Sequence, residues 1–558
     1  MSFFVISALL LGFLVAAVVL HSRLFSRRGS PHGPNPLPLI GNVLDLIPVA
    51  GAGIYSDGRQ PAAISKTQPI TPATPMHILA TRWALTYGAV VDINVFSQHL
   101  LFLSSPDAVQ DLLEKRGAIY SDKPFMLMAG ELCGCQNMVA FTAYSGQSKR
   151  QRRLLTSAFG ARAIPTYEPL LQKSTAQFLD AVLSGASYAR VRALAMRYAG
   201  GLTLAVVYGY VPVPLSADDN GRDPDPFIRQ ATECVNILQN EIASGGGIWA
   251  VDVMPWLKHL PLEHIPIIRS LPGLNFQKKA RLWKAKMEDF VEAPWAFVKS
   301  SMASENPSTS FCSTLLQERQ KENEKTKQDD DTFDFDLKWT ANSMYSASGD
   351  TNVALVTSFF RAMSLHPGSA RKAQIEIDKV TGGSRLPTLD DRTQLPYLDA
   401  VFTEVLRWAC PVPLCLPHRL MEDDVYNGMH IKKGTLVIGN IWAILRDETL
   451  YPDAHAFNPE RWLETDTPVS DKEFEKRRDP RAYVFGFGRR RCPGAQLVES
   501  SAWLLIAGVL ATFDIGASQT PPDEVKWEGG VFRTPAEFDL DIKPRSQAAV
   551  ALIHQAAQ

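Results

Sequence analysis

The sequence predicts a mainly α-helical protein with small β-sheets, preceded by one N-terminal transmembrane helix. Helix-type patterns of apolar residues dominate residues 106–420. Shorter strand-type segments occur in residues 90–103, in residues 425–438 and at the C-terminus. Residues 3–20 contain no charged side chain, and such a run is about the minimum length that spans a bilayer.

The chain divides into three predicted regions. Residues 1–22 are interpreted as a membrane anchor, residues 23–48 as a basic and proline-rich hinge, and residues 49–558 as one large folded domain. Residues 49–75 are rich in Gly, Ala, Pro and Thr and predict an irregular insertion at the start of that domain.

The charges around the apolar run predict its orientation. Arg23, Arg27 and Arg28 follow the run, whereas a cleaved signal peptide has its basic residues in front. Basic residues beside a membrane segment stay in the cytosol, so we expect a single-pass protein anchored in the lipid bilayer with its folded domain in the cytosol. The alternative is that the run is a buried core helix.

Composition is typical of a large enzyme with a substantial core. The 558 residues are 46% hydrophobic, and a net charge of -1 gives no indication of nucleic-acid binding. Seven scattered cysteines favour a reducing compartment over a disulfide framework. Two of them, Cys133 and Cys135, lack a second ligand pair nearby and are interpreted as loop thiols. Dense mixed charge in residues 318–336 predicts a solvated loop.

Residues 485–494 read FGFGRRRCPG and fit the pattern Phe-x-x-Gly-x-Arg-x-Cys-x-Gly, which can present one thiolate to a haem iron. Cys492 would be the axial ligand, and thiolate donation favours cleavage of the O–O bond. Phe485 can pack beneath a porphyrin, and Arg490 can pair with a haem propionate. The alternative is that Cys492 is a small buried hydrophobic residue in a glycine-rich turn.

The flanking residues support the thiolate interpretation. Gly488 and Gly494 permit tight turns that direct amide N–H groups at the sulfur. The apolar residues 495–511 predict a helix, which places Cys492 near a helix N-terminus. There the helix dipole is expected to lower the pKa of the thiol and keep the sulfur anionic.

This stretch resembles the cytochrome P450 family, and further motifs occur in that family's order. Glu404 and Arg407 form Glu-x-x-Arg, and Arg461 belongs to the FNPERW segment of residues 457–462. The resemblance implies the cytochrome P450 fold, haem b as cofactor, and a buried charge triad of these three residues behind the haem. A single Glu-x-x-Arg pair is usually an exposed salt bridge, so its value comes from its order relative to Cys492.

An upstream motif resembles the family's oxygen-activation helix. Asp350 and Thr351 match its acid and alcohol, and the resemblance implies that they relay protons to bound dioxygen. Gly349 is expected to let the helix open locally. Ser348 and Asn352 replace the small and hydroxyl residues more usual there. Because the acid and the alcohol are both retained, we expect altered proton delivery at most.

Three positions outside the cysteine loop concern the haem propionates. Arg152 matches the arginine of the family's haem-flanking helix, whereas Ser148 stands where a tryptophan is expected. His418 matches a position that contacts a propionate elsewhere in the family, and alternation along an extended segment directs Arg419 the other way.

The resemblance also implies partners. Electrons are expected from NADPH through a separate NADPH-cytochrome P450 reductase, docked on a basic surface on the cysteine side of the haem. That surface comprises Lys149, Arg150, Arg153, Lys476, Arg477, Arg478, Arg489 and Arg491. The substrate is expected to be a lipophilic small molecule held in a mostly apolar pocket. Its expected walls are Met126, Met128, Val353, Val412, Leu414, Val531 and Phe532.

The sequence predicts a haem-thiolate monooxygenase at the endoplasmic reticulum. The resemblance implies a fungal, microsomal-type member of the family, acting on a terpenoid or other secondary metabolite. Two alternatives remain: a haem-thiolate isomerase, dehydratase or peroxygenase, and a non-catalytic haem-binding relative. A proline-broken apolar stretch that includes Trp249, Trp256, Ile265, Ile267, Ile268 and Leu271 is interpreted as a membrane-dipping lid, with a core segment as the alternative.

Overall fold

The structure is a computed structural model. It describes residues 29, 31–37, 40–46, 55–56, 74–185, 187–214, 223–243, 249–261, 274–326, 331–463, 472–517 and 525–558. The predicted membrane anchor, most of the predicted insertion at residues 49–75, and the lid residues Ile265, Ile267, Ile268 and Leu271 lie outside these ranges.

Helices make up most of the described chain, as the sequence predicted. They are α1 Val43–Leu46, α2 Met76–Tyr87, α3 Pro106–Val109, α4 Gly146–Phe159, α5 Glu168–Leu183, α6 Tyr188–Thr203, α7 Pro226–Asn236, α8 Ala250–Val253, α9 Phe276–Met302, α10 Phe311–Thr326, α11 Asp331–Leu365, α12 Pro367–Thr381, α13 Pro396–Ala409, α14 Ile441–Ile444, α15 Lys472–Arg478, α16 Arg481–Val484, α17 Ala495–Thr512 and α18 Gln547–Ala557. Segments of π-helix occur at Gln110–Lys115, Leu127–Leu132, Leu204–Tyr208 and Ile237–Ala243.

Short strands form small sheets at the edge of the helical body. They are β1 Tyr55–Ser56, β2 Val90–Val95, β3 Gln98–Leu103, β4 His418–Arg419, β5 Asp424–Tyr426, β6 Met429–Ile431, β7 Leu436–Gly439, β8 Phe513–Gly516, β9 Lys526–Glu528, β10 Thr534–Pro535 and β11 Asp541–Pro544. The largest sheet has the order β2-β3-β7-β4, in which only the β3–β7 pair is parallel. The strands predicted in residues 90–103 and 425–438 are confirmed.

The core is organised around α11, the longest described helix, which packs against α4, α6, α13 and α17. From Asn352 to Ser364 every α11 residue is buried, so this half of the helix has protein on all sides. The helix α17 follows the cysteine loop directly, as predicted from its apolar sequence. Among the described residues it is the one helix apolar and long enough to cross a membrane, but 72% of it is buried and it serves as a core helix.

The expectation of a loop in residues 318–336 is wrong for the part that the structure describes. Residues 318–326 belong to α10, and residues 331–336 form the first turns of α11. Glu, Lys, Gln and Arg are good helix formers, and Arg319 and Glu322 form an ion pair of 2.8 Å on the surface of α10. Charge density marked exposure correctly but did not distinguish a solvated helix from a loop.

The described part of the proline-broken stretch has two environments. Trp249 is buried and its indole N–H donates to the carbonyl of Ile242 at 3.2 Å. Trp256, in a 3-10 turn at Pro255–His259, is 58% exposed, and Met254 and Leu260 beside it are also exposed. The start of the stretch is therefore core, and an exposed apolar surface follows it.

Candidate active site

The cysteine loop connects α16 to α17 and is fixed by backbone conformation. Gly486 and Gly488 have φ angles of 72° and 53°, which favour glycine. A β-carbon on Gly488 would overlap the carbonyl oxygen of Leu113. Gly494, in contrast, has an ordinary φ of -82°, so the tight turns lie before Cys492 and not at Gly494 as expected. The loop closes where the Cys492 N–H donates to the Phe485 carbonyl at 2.7 Å.

Cys492 is exposed to solvent although many protein atoms surround its thiol, an arrangement that indicates a crevice inside the fold. Burial raises the pKa of its thiol above the ordinary value, and the N–H groups of Gly494 and Ala495, with the charges of Arg152 and Arg491, only partly offset that increase. The expectation that the helix dipole leaves the thiol with a lowered pKa is thus wrong for the protein alone. A coordinated metal ion deprotonates such a thiol directly.

The central helix also exposes side chains to the interior of the protein. Ala347 is exposed and Thr351, one turn further along α11, is half-buried, whereas the residues after Thr351 are buried. An exposed alanine in the middle of a core helix indicates an internal cavity at that face. The Thr351 hydroxyl donates to the Ala347 carbonyl at 3.0 Å and so lies on the same face.

Basic side chains converge close to the cysteine loop. Arg490 donates to the carbonyls of Ser121 at 2.7 Å and Thr142 at 2.9 Å, and Arg152 donates to the carbonyl of Arg491 at 2.6 Å. Burial, with the charge of Arg152 beside it, lowers the pKa of Arg490 to about 10. In the described contacts these arginines donate to uncharged carbonyl oxygens, and such contacts do not neutralise the positive charges of the arginines.

Lys123 and His418 belong to the same cluster. Asp122 and Arg419 form an isolated antiparallel bridge. Their chain neighbours Lys123 and His418 therefore also lie opposite each other, with side chains on the opposite face from those of Asp122 and Arg419. Lys123 is 6% exposed, and its ammonium donates to the carbonyls of two loop residues at 3.2 and 3.1 Å. Burial and the charges of Arg490 and Arg152 lower its pKa to about 7.

The His418 ring has a fixed tautomer. Its Nδ1 lies 2.7 Å from the Tyr120 carbonyl, which can only accept, so Nδ1 carries the proton. Burial and the charge of Lys123 lower the pKa of His418 to about 3, so the ring is neutral and Nε2 holds a lone pair. His418 therefore lies at the expected place but donates to a carboxylate only when protonated.

The cluster has the composition that a haem requires. Buried like charges are costly unless an anion joins them, and the two propionates of a haem are such anions. An accessible internal thiol lies beside the cluster, and Arg152 is close enough to influence it. The residues present therefore fit a thiolate-ligated haem. Lys123 was missed because nothing in its local sequence distinguishes it from a surface lysine.

Ser148, at the position where a tryptophan is expected, caps the N-terminus of α4 instead. It is buried in the first turn of α4, where it and Ser145 form a reciprocal capping box. Its hydroxyl accepts from the Ser145 N–H at 3.0 Å. Because it already caps the helix, Ser148 does not replace the missing indole donor.

The structure brings Glu404, Arg407 and Arg461 together in the core. Arg407 contacts both carboxylate oxygens of Glu404, at 2.9 and 2.6 Å, and the Arg461 Nε donates to Glu404 Oε1 at 3.1 Å. The Trp462 indole and the Asn458 N–H add bonds of 3.0 and 2.9 Å to the same carboxylate. The other donors of both arginines reach backbone carbonyls, so the buried charges are extensively hydrogen-bonded.

Asp350 lies next to Thr351 but is held from another element. The Gln239 amide donates to Asp350 Oδ2 at 2.8 Å. Burial raises the pKa of the Asp350 carboxyl, while the Gln239 bond and the charge of Arg192 lower it in part. The helix is continuous at Gly349, contrary to expectation.

Gly349 allows a close approach of α6. A β-carbon at this position would lie 2.8 Å from the sulfur of Met196, too close for any real contact. The neighbouring departures are satisfied locally, because Ser348 and Asn352 bond to carbonyls of their own helix at 2.9 and 2.7 Å. Neither blocks Asp350 or Thr351.

The expected pocket residues fall into two groups. Met128 and Val353 are buried in the main hydrophobic core, at 0% and 1% exposure, and do not line an open cavity. The others are half-buried and remain compatible with a pocket wall: Met126, Val412, Leu414, Val531 and Phe532.

The expected basic surface is smaller than its sequence suggests. Arg478 points inward, donates to the Arg461 carbonyl at 2.7 Å and stacks on Trp462, so it supports the triad. Arg150 pairs with Asp336, and Arg477 pairs with Asp107 at 2.9 Å. Arg491 is half-buried and donates to a backbone carbonyl at 2.8 Å. The exposed remainder is Lys149, Arg153, Lys476 and Arg489.

Comparison with known proteins agrees with this geometry. The family described as Cytochrome P450 matches residues 68–192 and 250–542. Cytochrome P450 monooxygenase claT of Ampulloclitocybe clavipes is 36% identical over 97% of both chains. Cytochrome P450 monooxygenase 105 of Postia placenta is 32% identical, over 95% of this chain and 92% of its own. A zebra fish cytochrome P450 solved with progesterone has a TM-score of 0.65 at 23% identity, covering 85% of this chain and 100% of its own.

A haem-thiolate oxidoreductase is the class that this fold and site define. The chain belongs to the cytochrome P450 family. The predicted cytochrome P450 fold, mainly helical with small sheets, and the predicted enzyme class, a cytochrome P450 monooxygenase, are confirmed.

Proposed function

We propose that the protein inserts one oxygen atom from O₂ into a lipophilic small molecule, with electrons from NADPH delivered by a separate NADPH-cytochrome P450 reductase. The observation that carries the proposal is that Cys492, an exposed residue, lies beside the buried cations Arg152, Arg490 and Lys123. When bound, a thiolate-ligated haem supplies the activation of dioxygen. A terpenoid or other secondary metabolite is the proposed substrate class.

The chain's own residues would hold the cofactor and keep it oriented. Cys492 would bind the iron, and Phe485 would pack against the porphyrin. Arg490, Arg152 and Lys123 would neutralise the propionates, and His418 would contribute when its ring is protonated. The triad of Glu404, Arg407 and Arg461 braces the core behind the cysteine loop, since its guanidinium groups bind carbonyls that precede that loop.

Protons would reach the crevice through α11. Asp350 holds or releases a proton at its carboxyl group, and its raised pKa makes it a better proton donor near neutral pH than an exposed aspartate. The Thr351 hydroxyl, on the accessible face of the helix, would receive this proton and pass it on toward the interior of the site. Half-buried apolar residues such as Met126, Val412 and Phe532 would contact the substrate.

Two groups of exposed residues support the proposed membrane location and the proposed reductase partner. The exposed apolar residues around Trp256 suit a lipid surface, in accord with a single-pass anchor at residues 1–22 and an endoplasmic-reticulum membrane. The exposed cations Lys149, Arg153, Lys476 and Arg489 suit an acidic reductase surface. Of these, Arg489 belongs to the cysteine loop itself, so a reductase bound there would contact the segment that holds Cys492.

Reconstitution tests the proposal. The full-length chain, purified in detergent and combined with a NADPH-cytochrome P450 reductase, is expected to consume O₂ only when NADPH and reductase are both present. Cys492→Ser should abolish this consumption, whereas Cys312→Ser, at a buried thiol elsewhere in the core, should retain it. Turnover that needs hydrogen peroxide and ignores NADPH would instead favour a peroxygenase.

A further inference from the structure

The acid of the proposed proton path is hydrogen-bonded to a segment that continues α7, a helix that packs against α11. The Gln239 amide, in the π-helical segment Ile237–Ala243, donates to Asp350 Oδ2 at 2.8 Å. π-Helical turns inside helices occur frequently at functional positions because they redirect side chains that an α-helix would place elsewhere. Here the π-helical segment continues α7 without a break.

Ile237–Ala243 is one of three segments that hold one another. It packs against Leu127–Leu132, and Leu127–Leu132 packs against α8, Ala250–Val253. The Met128 N–H donates to Asp252 Oδ1 at 2.9 Å, and the Trp249 indole just before α8 donates to the Ile242 carbonyl at 3.2 Å. We name these three segments the cap.

Within these described contacts, Gln239 joins the cap directly to the acid of α11. Any displacement of the cap from α11 stretches the Gln239–Asp350 hydrogen bond, because an amide donor and a carboxylate oxygen bind only over a few tenths of an ångström. The orientation of the Asp350 carboxylate is therefore connected to the position of the cap.

We propose that Gln239 is a positioning residue for Asp350, and that it makes the state of the proton-supplying carboxyl group depend on whether the cap is seated on α11. This inference rests on the proposed role of Asp350 in proton delivery. In this proposal Gln239 touches neither the haem nor the reacting atoms, and its effect on proton supply passes through Asp350.

The charges that face Asp350 set the direction of the effect. An N–H donor stabilises the ionised carboxylate, as does the positive charge of Arg192 on α6, whereas burial favours the neutral acid. With the cap seated, the Gln239 N–H favours the ionised form of the carboxyl group and keeps Oδ2 turned toward the cap. Loss of the bond leaves burial opposed by Arg192 only, so the carboxyl group takes up a proton at higher pH.

The direct test is to titrate Asp350 in the full-length ferric protein and to measure its protonation by infrared difference spectroscopy. The carboxyl signal of Asp350 is identified as the one that disappears in Asp350→Asn. Gln239→Leu is expected to raise the pKa of Asp350 by about one to two pH units, the usual worth of a hydrogen bond to a charged group. Asn240→Leu is the matched control: its amide bonds to Asn236 in its own helix at 2.6 Å and should leave the titration unchanged.

A functional measurement separates this inference from the proposed function beneath it. With reductase and NADPH, the ratio of H₂O₂ released to O₂ consumed is measured across pH for the wild type, Gln239→Leu, Asp350→Asn and the double variant. Gln239→Leu should shift the pH profile of this ratio and add nothing in the Asp350→Asn background.

The outcomes are distinct. If Asp350→Asn leaves the ratio unchanged, the proposed proton role of Asp350 fails, while the infrared titration still decides whether Gln239 positions it. If Asp350→Asn changes the ratio and Gln239→Leu moves neither the titration nor the profile, the inference about Gln239 is wrong. Additive effects of the two substitutions also overturn it. Gln239→Glu, which places a second carboxyl group at the same distance, should raise the pKa of Asp350 at least as far as Gln239→Leu.

Discussion

Glu404→Gln should destabilise the protein far more than a change of one atom suggests. Glu404 is fully buried and accepts five hydrogen bonds, three at Oε1 and two at Oε2. Glutamine keeps an acceptor at the Oε1 position but puts an NH₂ group at Oε2, opposite the N–H groups of Arg407 and Trp462. Two donors lose their acceptor, and the charges of Arg407 and Arg461 remain without a carboxylate.

Each unsatisfied buried donor costs about 1–3 kcal/mol, and breaking a buried ion pair costs about 3–5 kcal/mol. Because these overlap, we expect a loss of about 3–5 kcal/mol in the free energy of unfolding, a large part of the usual total of about 5–15 kcal/mol. Urea unfolding followed by circular dichroism and by the haem absorption band measures it.

The control is Glu460→Gln, two residues from the FNPERW asparagine. Glu460 pairs with Lys372 at 2.6 Å, but both side chains are more than a third exposed. Such a pair is worth about 0–1 kcal/mol, so this variant should unfold nearly as the wild type does. An unfolding midpoint for Glu404→Gln equal to that of Glu460→Gln would refute the reasoning.

Four further predictions concern the site. Lys123→Met should speed haem transfer to apomyoglobin about tenfold near neutral pH, since a charged hydrogen bond is lost, whereas Arg419→Met on the opposite face should not. In the haem-free wild type, Lys123 has a pKa of about 7 and is neutral above it. Because haem binding then requires Lys123 to take up a proton, the affinity for haem should fall as pH rises from 7 to 9. Lys123→Met should remove this pH dependence. Thr351→Ala should lower the product formed per NADPH by about an order of magnitude, and unchanged coupling would exclude the hydroxyl from proton delivery. Gly488→Ala should abolish haem loading, because its β-carbon overlaps the Leu113 carbonyl and its φ is positive; normal loading in absorption spectra would contradict the loop geometry.

The parts of the structure that sequence predicted are those with local signals. Helix α17 and the strands β2 and β3 follow from periodicity within a few residues, and the cysteine loop follows from fixed spacing in one segment. Glu404 and Arg407 are neighbours on one helical turn, so only the approach of Arg461 required knowledge of the family's order.

The parts that sequence missed depend on contacts between distant residues. Lys123 reaches the carbonyls of a segment nearly 300 positions away, and Gln239 reaches Asp350 across 111 positions. Nothing near either residue indicates burial or a charged partner. Arg478 was assigned to the surface for the same reason, since its contact with the Arg461 carbonyl depends on how α15 packs.

The pKa of Cys492 shows a third kind of error. The helix N-terminus does lower it, through the N–H groups of Gly494 and Ala495, but burial is the larger influence. Sequence indicates the helix and cannot give the depth of the crevice. The sulfur is therefore expected to be a thiol in the haem-free protein and a thiolate once it coordinates iron.

The measurement that tests the central claim most directly is the carbon monoxide difference spectrum of the reduced, haem-loaded protein. Thiolate ligation by Cys492 predicts a Soret band at the long wavelength that distinguishes it from other haem proteins, and its loss in Cys492→Ser but not in Cys312→Ser. A freshly prepared wild-type protein with its band only at the shorter wavelength of histidine- or thiol-ligated haem would contradict the account.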